Sequence, residues 1–383
     1  MPASPASAAP SAAPADVGRT PRHSALGTAL IIAGAQCSFF IGAAFATGQE
    51  SMQYFTSHGW AGIVTVLAMT ALFAWTMTSL TEWGRARHGQ RAEPFTGICG
   101  PLIGWVLRLL SPLFLFLISV MMVAGAGATM SDAFGWPDWG GKVLLAAMLL
   151  LTLSMGFVGL VEVIGRLGPI LVLLVAVVSA WILIRNWGEL GNAAENLEKY
   201  QPAAAIDNPW VSMLMYSIAM LVIAVPFLAA LGSNGEVPSR STIPGGLIGA
   251  LIFGVAMGVT ALALLAALPL IHDSGAPMLV LGSDLNPTLG VAFALVAFLG
   301  IYSTAAPMLW TIADQMPGRE SRLVHRLTGV ALAVLALICG LVLDFSTLVG
   351  AIYPKVGYVG LLFFGILLVR QIISRSYSLA PRH

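Results

Sequence analysis

Glu50 is the carboxylate that most demands a chemical role. It lies within a long apolar run that starts near residue 25. The stretch Ile41-Gly42-Ala43-Ala44-Phe45-Ala46-Thr47-Gly48-Gln49-Glu50 places two glycines among small residues just before it. An isolated ionised carboxylate inside hydrocarbon costs ~3 kcal/mol on insertion scales, so Glu50 must face a cavity, pair, or hold a proton. Two roles stand: handling of a coupling ion or substrate, or a structural carboxylate bonded to nearby N–H groups. Gln49 and Gln53, one helical turn apart, either orient a ligand or tie helices together. A second polar pair, Ser303 and Thr304, sits in the run Gly300-Ile301-Tyr302-Ser303-Thr304-Ala305-Ala306-Pro307. Hydroxyl oxygens suit a small hard cation, although Ser and Thr also back-bond within membrane helices.

Other chemistries lack their residues. Cys37, Cys99 and Cys339 are odd in number and lie in or beside apolar segments without C-x-x-C spacing, which reads as packing. The six histidines fall in loops and tails with no pair at helical ligand spacing, against a zinc site. No hydrolase elbow, phosphate loop, dinucleotide fingerprint or zinc-protease helix occurs, and the buried acidic inventory is essentially Glu50, which argues against an enzyme. A net charge of +1 gives no footprint for nucleic acid.

The elements that must position these groups are membrane helices. Of the chain's 383 residues, 58% are hydrophobic and 9% charged, where a soluble domain carries about 25% charged residues. The apolar runs show no period-two alternation, which favours a helical bundle over a barrel. Ten segments are expected, at about 25–56, 60–81, 100–130, 142–162, 167–186, 209–231, 243–271, 289–315, 323–343 and 354–373. They are flanked by an Ala/Pro/Ser-rich disordered tail over 1–24 and a short tail over 374–383. The first segment spans 32 residues, or ~48 Å as one helix, so it must tilt, protrude or break. A break near Gly42 and Gly48 would leave backbone groups unpaired at membrane depth, tolerable where they line a cavity or bind a solute. Gly254 and Gly258 read instead as close helix packing.

With a cytoplasmic N-terminus, 13 of the 18 Lys and Arg residues face inward, whereas Lys142, Arg185, Lys199 and Lys355 face outward. That bias places both termini in the cytoplasm. Trp60, Trp136, Trp139, Trp187 and Trp210 fall at the outer boundaries, where interfacial indoles are expected. Lys355, after Pro354 at the start of the tenth segment, is expected to snorkel to the outer interface, with a charge partnership with Glu50 as the alternative. Glu162 and Arg166 form a cytoplasmic ion pair. Asp273 and Asp284 are solvated in an outer loop that folds as a partial lid.

The segment Gly42-Ala43-Ala44-Phe45-Ala46-Thr47-Gly48-Gln49-Glu50-Ser51-Met52-Gln53-Tyr54-Phe55 resembles the first helix of YkvI-type membrane proteins, with its G-x-G-F-A-S/T-G-Q-E-x-x-x-F-F pattern. Ala276-Pro277-Met278-Leu279 and Ile301-Tyr302-Ser303-Thr304-Ala305 are similar to their later I/A-P-M-L and Y-T/S-T-A signatures. The resemblance covers residues 25–373. It implies the amino acid-polyamine-organocation superfamily and its LeuT-like fold: two inverted five-helix repeats, here about 25–186 and 209–373, with the first and sixth helices broken.

It further implies an ion-coupled symporter for a small polar solute, an amino acid or related compound. The solute would be held by Gly42, Ala43, Ala44, Phe45, Thr47, Gly48 and Gln49 of the first break and by Tyr216 and Ser217 of the sixth helix. The coupling ion would be H+ at Glu50, or Na+ held by Ala43, Ala46, Ser303 and Thr304. Ala43-Ala44 stands where the family has a second glycine, and Tyr216-Ser217-Ile218-Ala219-Met220 lacks the family's asparagine. A non-transporting receptor that keeps the fold is the alternative. Short loops without a large soluble domain suggest a bacterial inner membrane; the partners expected are a small solute and lipid, with no nucleic acid and no cofactor beyond the coupling ion.

Overall fold

The computed structural model describes residues 25–40, 43–87, 93–155, 173–233, 239–316 and 321–378. Residues 1–24 and 379–383, the Glu162–Arg166 pair, Gly42 and the link between the fourth and fifth expected segments lie outside the described residues, while 374–378 of the expected C-terminal tail continue the last helix. The regular elements among the described residues are helices. The first segment comprises α1 (Ala25–Phe40), α2 (Ala43–Ala46) and α3 (Gln49–Tyr54). A 3-10 turn at Thr56–His58 leads into α4 (Gly59–Arg85). Next come α5 (Pro94–Phe134), α6 (Asp138–Met155) and α7 (Leu173–Arg185). A 3-10 turn at Trp187–Asn192 joins α8 (Ala193–Tyr200), bent by 77° from α7.

The second half holds α9 (Pro209–Ser233), α10 (Ser239–Ala266) and the short α11 (Leu268–Ile271) and α12 (Pro277–Leu285). It ends with α13 (Pro287–Gln315), α14 (Arg322–Val342) and α15 (Phe345–Ser378). Among the described residues seven spans are long and apolar enough to cross a membrane, and eight if the bent α7–α8 pair counts as one. The first, fourth and fifth expected segments run on into residues outside the described set, so the count of ten is not tested there.

Both faces of these helices are apolar, so burial is set by packing and not by polarity. On α1, Ala29, Ile32, Ala33, Cys37 and Phe40 repeat at helical spacing and are buried, while Leu26, Leu30 and Ile31 are exposed, as lipid-facing residues are. Lipid tails are as apolar as leucine, so association rests on close approach. Glycine supplies it. A Cβ on Gly84 of α4 would lie 1.9 Å from the Ala229 carbonyl oxygen, and one on Gly232 of α9 the same distance from that of Thr81. At Gly254 of α10 a Cβ would meet Thr70 Oγ1 at 2.0 Å, in keeping with its packing role, whereas a Cβ on Gly258 would stand 3.7 Å from Val66, an ordinary contact, so the close packing expected there is not present.

Three expectations need correction. The sixth segment, α9, is continuous from Pro209 to Ser233. Its middle has no glycine to favour a left-handed turn, and Pro226 is accommodated within the helix, as membrane helices permit. The tenth begins at Phe345, not 354, because Asp344 Oδ2 caps it, accepting from Thr347 N and Oγ1 at 3.0 and 3.1 Å. Pro354 is therefore interior, and Lys355 is exposed on the helix side. The third is extended by a helical stretch from Pro94, where Glu93 accepts from Phe95 N and Thr96 N at 3.2 and 2.7 Å, and this stretch meets the expected span at a break in the helical backbone at Gly100 (φ 81°, ψ 177°). Lys142 is 3% exposed and pairs with Asp138.

Candidate functional site

The first span is broken at Thr47-Gly48. Gly48 adopts a left-handed conformation, φ 84° and ψ −1°, and its N–H donates to Phe45 O at 3.0 Å. Thr47 O accepts from Met278 N at 2.9 Å. Met278 lies in the first turn of α12, where N–H groups have no partner of their own helix, so the break supplies an acceptor that this helix end needs. The far end of α3 is accounted for in the same way. Ala205 N donates to Gln53 O at 3.2 Å, and Ser212 Oγ of α9 to Tyr54 O at 3.1 Å.

Immediately after the break stands Glu50, 1% exposed. Tyr216 of α9 donates to one carboxylate oxygen at 2.8 Å and Tyr353 of α15 to the other at 2.5 Å. Tyr54, one turn on, donates to Val349 O at 2.8 Å. The three tyrosine rings pack on one another with centroids 5.3 to 5.9 Å apart. Among the described residues the carboxylate thus has two neutral donors and no cationic partner. Charge-assisted bonds of this kind offset part of a carboxylate's desolvation.

On the neighbouring face of α3, Gln49 Nε2 donates to Ser346 Oγ at 3.0 Å, and Gln53 Nε2 donates to both Ser346 O and Oγ at 2.9 Å. The helix-tying role of these amides is therefore present. Asp132 of α5 holds the loop between α11 and α12, accepting from Ser274 Oγ and Ala276 N at 2.9 Å each. Asp284 pairs with Arg185 at 3.3 Å, and Asp273 contacts His272 at 3.1 Å while its side chain stays 92% exposed.

The remaining expected site residues are spread over several environments. Ala43, Ala44 and Ala46 belong to α2, which packs against α13. Phe45 fills an aromatic cluster with Phe253, centroids 5.5 Å apart, to which Phe40 and Phe73 add. Ser217 turns to Met213 Sδ at 3.6 Å. Ser303 and Thr304 both donate to Gly300 O, at 2.8 and 3.0 Å, so their hydroxyl lone pairs are not spent in those bonds. What the sequence reading missed are Tyr353 and Ser346, both from α15, and Asp132. A buried tyrosine in an apolar span needs a hydroxyl partner, and that rule was a usable signal for Tyr353.

No family model matches the chain. YkvI, an uncharacterised membrane protein of Bacillus subtilis (strain 168), is 24% identical over 341 residues, covering 86% of this chain and 92% of that protein. Among solved structures, MhsT in complex with L-phenylalanine aligns with a TM-score of 0.59 at 17% identity, over 90% of this chain and 89% of that one. The chain is YkvI-like in sequence and LeuT-like in fold. A Na+-coupled sialic acid symporter in a substrate-bound outward-open state aligns at TM-score 0.56 and 15% identity, covering 89% and 79% of the two chains. A variant of the manganese transporter of Eremococcus coleocola aligns at 0.53 and 14%, covering 89% and 78%. At these identities the structural likeness speaks for the fold. This YkvI-like chain is thus a helical membrane protein with a transporter fold.

Proposed function

We propose that the protein is an ion-coupled secondary transporter that moves a small polar solute, an amino acid or related compound, by alternating access. The observation that carries this reading is the broken first span. Its turn at Thr47-Gly48 is followed at once by a buried carboxylate with no cationic partner among the described residues. Both features are costly in a bilayer unless they line a pathway. The solute would meet the backbone of α2 and the start of α3, including Ala43, Ala44, Thr47, Gly48 and Gln49. The positive end of a half-helix suits a carboxylate group.

For the coupling ion, a proton on Glu50 or a sodium ion between α2 and α13 would each balance charge at the break. The donor set fits Na+. Ser303 and Thr304 keep lone pairs, and they lie on the helix packed against the carbonyl-bearing α2. The solved structures of similar fold include a Na+-coupled symporter and a protein bound to L-phenylalanine, which supports the class of cargo and ion. Both termini cytoplasmic in a bacterial inner membrane is part of the same reading. In support, Trp60, Trp136, Trp139, Trp187 and Trp210 are all between 46% and 64% exposed at the boundary assigned to the outside.

The unbroken α9 favours a second reading, a receptor that binds solute without moving it, because one of the two discontinuous helices of such folds is missing. Reconstituted protein separates the two. Radiolabelled amino acids are offered to proteoliposomes under an inward Na+ or H+ gradient. Accumulation driven by pH and abolished in Glu50→Gln identifies proton coupling; accumulation driven by Na+ and abolished in Ser303→Ala/Thr304→Ala identifies sodium. Binding without accumulation under either gradient refutes transport and leaves the receptor.

A further inference from the structure

Gln49 and Gln53 hold polar atoms that the chemistry of Glu50 does not use. Each is 3% exposed, and each spends its Nε2 on Ser346, yet neither Oε1 accepts a hydrogen bond from the described residues. A buried acceptor left without a donor costs about 1–3 kcal/mol, and here two occur one turn apart on the same helix face. Turning the Gln53 amide over does not remove the deficit, because its Nε2 donates to the carbonyl of Ser346 and the exchange would set oxygen against oxygen. Backbone geometry across from it keeps the oxygen approachable. The facing residue on α15 is Gly350, where a Cβ would stand 3.0 Å from Gln53 Oε1. Ser346 and Gly350 are themselves half-buried, so the cluster borders accessible space.

Two neutral amide oxygens without a carboxylate between them suit a singly charged guest. A divalent ion is held by several oxygen ligands that include carboxylates, whereas an alkali ion or an ammonium group is satisfied by neutral oxygens. We propose that Gln49 and Gln53, braced by Ser346, form a monovalent-cation site between α3 and the first turns of α15, separate from Ser303 and Thr304. Its guest is either an alkali-metal ion or the primary ammonium group of a solute.

The test follows the unfolding midpoint of the full-length protein in detergent while sodium chloride or methylammonium chloride is titrated, with choline chloride holding ionic strength constant. A guest that binds the folded state raises the midpoint saturably. Wild type is compared with Ser303→Ala/Thr304→Ala and with Gly350→Ala, which crowds Gln53 Oε1 without removing a hydrogen bond. The expected result is a saturable rise with one of the two cations, part or all of which persists in the hydroxyl variant, and whose apparent affinity Gly350→Ala weakens about tenfold or more. Sodium as the active salt assigns the site to an alkali ion; methylammonium assigns it to a solute amine. If Gly350→Ala does not fold, Gln49→Met gives the same comparison. No saturable rise with either salt overturns the proposal and leaves an ordered water as the occupant. So does a rise that survives Gly350→Ala and is lost in the hydroxyl variant.

Discussion

Replacing Gly48 by alanine tests the break at its most sensitive atom. The residue has φ 84°, and the left-handed region costs an alanine about 1–2 kcal/mol. The new methyl would also lie 2.8 Å from Met278 Cγ, with Pro277 Cγ at 3.3 Å and Leu264 Cδ1 at 3.4 Å closing the sides. All three neighbours are buried, and overpacking of that kind adds about 1–3 kcal/mol. The two effects together give a loss of about 2–5 kcal/mol. Gly258→Ala in the interior of α10 is the matched control. Its Cβ would make an ordinary contact of 3.7 Å with Val66, so relief of glycine's backbone entropy should instead stabilise by about 0.5–1 kcal/mol. Equilibrium unfolding in mixed micelles, followed by tryptophan fluorescence, reads both. Opposite signs are expected. A Gly48→Ala protein within about 0.5 kcal/mol of wild type, the range of a neutral surface change, would refute the left-handed turn and its contact with α12.

Gly84→Ala should be worse than Gly48→Ala, since its Cβ would meet backbone, the Ala229 carbonyl at 1.9 Å, and only separation of α4 from α9 could relieve it; monodisperse yield on size exclusion measures this. Tyr216→Phe and Tyr353→Phe should each cost about 1.5–3 kcal/mol, as loss of a donor to a charged or polarised acceptor does, and a double-mutant cycle should show non-additivity because both serve Glu50. Asp132→Ala frees Ser274 and Ala276 N, so hydrogen exchange over residues 272–279 should quicken while that of the α5 interior stays unchanged.

The membrane class, the first break and the burial of Glu50 were legible because each follows from local sequence: apolar length, glycine beside small residues, a carboxylate in hydrocarbon. What escaped depended on pairing between distant segments. Tyr353 and Ser346 meet α3 across some 300 residues, and nothing in a single sequence says which tyrosine of the apolar spans reaches Glu50. The starts of α5 and α15 were misplaced for a different reason. Hydropathy marks the lipid-crossing part of a helix, but its first turn is set by capping at Glu93 and Asp344, which lie in polar sequence. The break expected in α9 came from the family resemblance, and the local sequence there, without glycine, already spoke for a continuous helix.

The bond from Met278 N to Thr47 O has a mechanical corollary. A helix end that borrows its donor from another segment cannot shift along its axis without carrying that segment along. With Asp132 tethering residues 274 and 276 to α5, the loop becomes a strut between the break and the C-terminal end of α5. Displacement of α3 would therefore register at Asp273, which is open to solvent and tolerates a label. A spin label there, paired with a second on the rim of α8, would report from the water phase on a movement that takes place at the depth of Gly48.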